Sequence, residues 1–224
     1  MQNEHFFNLT KQDWTDHNLQ VIKYCKEQAN KAVMEHIADY PATPHLPVVR
    51  GILAWDRLDY FLDAAAKNEL FEGITSRWVN FQGAKILELR GTYTSLTACH
   101  VLSRDDNPKE SDFGYRKNNR AKNQKNQELF KEFEAPASED GFLNIVLQHG
   151  GRNDNFAFLR AYLEDSDIPA LTENIMLMTS LEMTPETEIV PTPMPTLKDN
   201  VVATEPDILP TLPVETNKND DSQS

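Results

Sequence analysis

The spacing of apolar residues changes character near Gly73, and that change constrains the fold of this chain more than any other feature. Before it, apolar side chains recur at helical intervals; after it they alternate. Trp14, Val21, Cys25, Ala29, Ala32, Val33 and Ile37 form one helical stripe. Asp39-Tyr40-Pro41 ends it, because a residue before proline is pushed out of α geometry. Thr10 and Asp13 make a capping-box-like pair at its start, with Leu9 and Trp14 placed as a hydrophobic staple. Cys25 falls on this stripe and reads as a buried, inert thiol. A second helix is predicted from about Val48 to Leu70. Its buried face holds Val49, Ile52, Leu53, Leu58, Phe61, Leu62 and Ala65, and its wet face Asp56, Arg57, Asp59, Asp63 and Lys67.

Beyond Gly73 the segments Ser76–Gln82, Lys85–Arg90, Thr92–Leu102, Phe142–Gln148 and Phe156–Leu163 read as strands, rich in β-branched and alternating residues. Residues 168–181 complete the body as a short strand or a short helix. Helices followed by neighbouring strands define an α+β fold, with two N-terminal helices packed on a mostly antiparallel sheet of about five strands.

Composition draws one boundary. Residues 182–224 hold seven of the thirteen prolines, no aromatic residue, and nine acids against two bases, so this stretch carries −7 of the net −13. Such a segment cannot bury enough apolar surface to offset the entropy of ordering it. The expected organisation is a single globular domain over 1–181 and a disordered, acidic, Pro/Thr-rich tail over 182–224.

Several function classes are excluded or disfavoured. No apolar run approaches the roughly 18 residues that span a bilayer, so no membrane role is expected. Met1 to His5 offers neither the basic nor the apolar region of a secretory signal. Two cysteines, Cys25 and Cys99, suit reduced thiols in a cytoplasmic protein better than a disulfide framework. The net charge repels long nucleic acid. His17, Glu35 and His36 lack the HExxH spacing of a zinc helix, and neither a metal nor a cofactor is expected. Glu88 and Arg90 share a strand face and read as a structural ion pair, and Gly150-Gly151-Arg152 reads as a turn.

One stretch departs from the acidic background. From Phe113 to Lys125 there are five bases and no acid. Arginine forks match phosphate or carboxylate oxygens, so Arg104, Lys109, Arg116, Lys117, Arg120 and Lys122, with Arg152 from the later turn, are the candidate binding residues. The bland reading of the same run is a solvated helix from Asn118 to Phe133. Three functions follow, the last-ranked a sequence-tolerant binder of single-stranded nucleic acid through the Phe113–Lys125 run. The first is a non-enzymatic cytosolic interaction or regulatory protein, of accessory, toxin-neutralising or defence type, that binds a protein partner through this basic segment or the acidic tail. The alternative is a metal-independent, ribonuclease-like phosphodiester-cleaving toxin acting on short RNA or a nucleotide. In it His100 and His149 serve as general base and acid, Tyr115 assists, and Arg116 and Arg120 stabilise the phosphorane. Both histidines lie in register with apolar faces, which also fits imidazoles satisfied within the core.

Overall fold

The computed structural model describes residues 4–38, 44–81, 84–106, 114–129, 142–151, 155–163 and 168–179. The chain divides between Ile189 and Val190, and every described residue belongs to the first unit. The expected tail over 182–224 lies outside the described residues.

Three helices come first, α1 (Glu4–Asp13), α2 (Asp16–Ile37) and α3 (Leu46–Lys67). The strands β1 (Thr75–Phe81), β2 (Ala84–Arg90) and β3 (Thr94–Val101) follow. A fourth helix, α4 (Gly114–Leu129), precedes β4 (Leu143–Gly150), β5 (Phe156–Ala161) and β6 (Leu171–Asn174). The fold is α+β. Among the described residues the sheet has six strands, not five, because the segment after residue 168 supplies both a short strand, β6, and a 3₁₀ turn, Ile175–Leu177. The strands lie in sequence order. All neighbours are antiparallel except β3 and β4, which run parallel. A parallel neighbour cannot be reached by a tight turn, so the chain must cross over, and α4 sits in that crossover.

The first predicted helix is two. Thr10 lies inside α1, and the true cap is Thr15, whose hydroxyl accepts the Asn18 N–H at 3.3 Å. Asp13 serves the sheet instead. Its carboxylate accepts the backbone N–H groups of Thr92, Tyr93 and Thr94 at 2.9, 2.8 and 2.7 Å, and the Thr94 hydroxyl at 2.8 Å. Trp14 Nε1 donates to Thr94 Oγ1 at 2.9 Å. Gly91 is required beneath this knot, since a Cβ there would lie 2.3 Å from Asp13 Cγ.

The helices α1 to α3 cover one face of the sheet. The core between them joins Phe6, Trp14, Leu19, Ile22, Leu58, Phe61 and Leu62 to Leu87, Leu89, Leu96, Leu143, Ile145 and Leu147. Each such side chain contributes about 1.5–3 kcal/mol on burial. On α3 two expectations fail. Val49 and Ile52 are exposed, because the first turns of α3 run past the core they were expected to join, whereas Asp59 is buried. Burial, then the neighbouring Asp56 and Asp63 carboxylates, raises the Asp59 pKa well above its ordinary value. Asp63 lies one turn on. Burial opposes its charge, but hydrogen bonds from Lys67, Ser76 and Trp78 at 2.7, 2.6 and 3.1 Å hold its pKa below the ordinary value.

Candidate functional site

The basic run folds as α4. Its asparagines at 118, 119, 123 and 126 are poor helix formers, so the helix depends on tertiary anchors. Asn123, buried against the sheet, is the main one. It accepts the Asn144 N–H at 2.7 Å and donates to the Asn144 and Tyr162 carbonyls at 2.9 and 3.0 Å. Arg120 is buried too, with its guanidinium carbon 4.7 Å from the Tyr162 ring centre. Lys117, Lys122 and Lys125 point outward and are exposed, and none of them forms an ion pair with a described carboxylate. The helix therefore shows lysines to solvent and keeps an arginine for internal stacking.

Beneath α4 lies a polar network that sequence reasoning missed. Gln148 Oε1 accepts from Arg160 Nη1 at 2.8 Å and from the Tyr162 hydroxyl at 3.0 Å. The Gln148 amide donates to the Asp106 carbonyl. Arg160 Nη1 also donates to the Arg104 carbonyl at 3.3 Å. Arg104 and Arg160 both approach the ring of Phe158, at 5.0 and 4.8 Å from its centre. Burial raises the Tyr162 pKa, against the opposing pull of Arg160 and Arg120. One sequence signal was available: alternate residues Phe156, Phe158, Arg160 and Tyr162 share a face of the β5 segment, so a guanidinium stands in an aromatic row.

The histidines sit on the other side. Parallel pairing places His100 directly beside His149, with ring centres 5.3 Å apart in an edge-to-face arrangement. His149 is fully buried, and His100 is partly exposed beside Gly51 of α3, where an added Cβ would lie 3.1 Å from the imidazole. Successive strand residues point to opposite faces. Gln148, and with it Tyr162 and Arg120, therefore faces α4, whereas His149 faces α3. The structure brings the two imidazoles together and puts the sheet between them and Arg120. A single cleft holding His100, His149 and Arg120 does not form, because each lies on the face its strand or helix register dictates.

The remaining candidates are dispersed. Arg104 is exposed after β3. Tyr115 and Arg116 lie in the first turn of α4, with side chains outside the described set, and Lys109 and Arg152 lie outside the described residues. Glu88 is paired, as expected, with Arg90 at 3.2 Å and also with Arg77 across the strand pair. Cys25 is buried and donates to the Phe61 carbonyl at 3.5 Å, and burial pushes its thiol pKa far up. Among the described residues no group of three or more His, Cys, Asp or Glu side chains could hold a metal ion, and no helix is long and apolar enough to cross a membrane. A scan against protein-family models matches none, and searches of curated proteins and of solved structures find no similar chain.

Proposed function

We propose that this chain is a non-enzymatic cytosolic interaction protein that binds the acidic surface of a protein partner through the outward face of α4. The observation that carries the reading is the division of labour along that helix. Asn123 and Arg120 secure it from beneath, while Lys117, Lys122 and Lys125 stand exposed without a described carboxylate partner. In a chain of net charge −13 such a row is not needed for solubility. Exposed lysines facing an acidic patch speed and orient association. The acidic segment 182–224 is the second element of the proposal, as a site for a basic surface. Phosphodiester cleavage by His100 and His149 has less support, since Arg120 is committed to Tyr162 on the far side of the sheet.

The test is a pull-down with the full chain and with a Lys117→Glu/Lys122→Glu/Lys125→Glu variant, each bound protein being identified and its binding measured against salt. A partner retained by the parent chain, weakened by salt and lost in the variant at unchanged melting temperature supports the reading. Equal retention by both chains removes it.

A further inference from the structure

We propose that the α4-facing side of the sheet carries a phosphate-binding site built on Arg160 and Arg104. Arg160 is half-buried on β5. Its Nη1 already donates to two protein acceptors, Gln148 Oε1 at 2.8 Å and the Arg104 carbonyl at 3.3 Å. What remains is the edge formed by Nε and Nη2, whose N–H groups run parallel and grip an oxyanion by two hydrogen bonds at once. Nε on that edge is buried and has no acceptor among the described residues. A buried donor left in that state is costly, and an acceptor from outside relieves the cost. Gln148 and Tyr162 are positioning residues here: Gln148 takes the opposite end of the guanidinium and the Tyr162 hydroxyl holds the same Oε1 at 3.0 Å, so the guanidinium has a set orientation.

Arg104 supplies the second cation. It comes from the loop after β3, is exposed, and stands over the same Phe158 ring as Arg160. The two guanidinium groups therefore lie within about 10 Å of each other, given their distances of 5.0 and 4.8 Å to the ring centre. Neither forms an ion pair with a described carboxylate. In the same loop Asp106 turns its carboxylate to the Ser103 N–H at 2.8 Å, while its carbonyl accepts from Gln148, and neither Asp105 nor Asp106 forms an ion pair with Arg104 or Arg160. Two cations from different elements, held near one aromatic ring with no ion pair to a described carboxylate, suit a dianion. A carboxylate has two oxygens, which one fork occupies. A phosphate has a further oxygen for Arg104. The position also fits, because Arg104 follows the C-terminal end of β3, the strand that starts the parallel crossover, and open sheets bind ligands at such ends. The site does not depend on the lysine face of α4.

Isothermal titration of the full chain with inorganic phosphate, and separately with acetate, tests this. Expected is saturable phosphate binding with one site per chain, weakened about tenfold or more by Arg160→Lys, which keeps the charge but removes the fork, and by Arg104→Gln. The Lys117→Glu/Lys122→Glu/Lys125→Glu chain should retain the site, so failure here and failure of the partner reading give different results. If Arg160→Lys does not fold, the exposed Arg104→Gln decides alone. Absence of saturable phosphate binding, binding untouched by both arginine changes, or acetate bound as tightly as phosphate would each overturn the proposal.

Discussion

Asp13 and Thr94 meet twice: Asp13 Oδ2 accepts the Thr94 backbone N–H at 2.7 Å and the Thr94 hydroxyl at 2.8 Å. Two further backbone N–H groups, of Thr92 and Tyr93, share the same carboxylate. This places the end of α1 on the β2–β3 turn, across about eighty residues of chain. Replacing Asp13 by Ala leaves several donors without their acceptor in a largely buried setting. We expect a loss of about 3 kcal/mol in unfolding free energy, read from the urea midpoint at unchanged slope. A loss below about 1 kcal/mol would show that water replaces the carboxylate.

Asp59 gives a pH dependence with a definite sign. Its pKa is raised in the folded state, by burial first and then by Asp56 and Asp63, and among the described residues its Oδ1 has no hydrogen-bond partner. A carboxyl whose folded pKa exceeds its unfolded one contributes fully below the unfolded value, about 3.9, and that contribution is lost as pH rises through the folded value. Asp59→Asn does not titrate. The variant should gain on the parent chain as pH rises from about 4, reaching about 1 kcal/mol or more near neutrality. Denaturant unfolding at several pH values checks this, and a gap independent of pH counts against it.

Asn123 holds α4 to the sheet through three backbone groups. Asn123→Ala should cost about 2–3 kcal/mol, and the cost should be local. Hydrogen exchange is expected to quicken across α4 while the β4–β5 ladder keeps its protection. Uniform loss of protection would instead mean that α4 and the sheet open together.

Gly150 and Gly73 form a matched pair. At Gly150, φ is 142° and a Cβ would lie 2.0 Å from the Val101 carbonyl oxygen, whereas at Gly73, φ is 70° with open space around it. Gly150→Ala should therefore cost well over about 2 kcal/mol by forcing β3 and β4 apart at their ends, and Gly73→Ala only about 1 kcal/mol. Thermal melts of the two variants, compared with the parent chain, give the ordering.

Much of this architecture was legible in the residues. The change of period at Gly73 separates helices from strands because side-chain direction repeats every 3.6 residues in one and every two in the other. The same rule placed His100 and His149 in register with apolar faces, and Glu88 beside Arg90. Less was legible at the candidate site and at the helix starts. Thr10 carries the capping signature, yet Thr15 caps α2, since two consecutive helices show the same apolar stripe as one long helix would.

What the sequence determined by itself was the helical or strand character of α2, α3 and β1 to β5 and the face of their strand residues, because both follow from local geometry. Tertiary structure alone decided the rest. Parallel and antiparallel strands have the same period, so nothing local told β3 to pair parallel to β4 and bring His100 beside His149. Nothing local told Asp59 to be buried or Arg120 to stack on Tyr162 instead of facing solvent. A charged side chain's role depends on which distant segment covers it, and that covering is a property of the assembled layers.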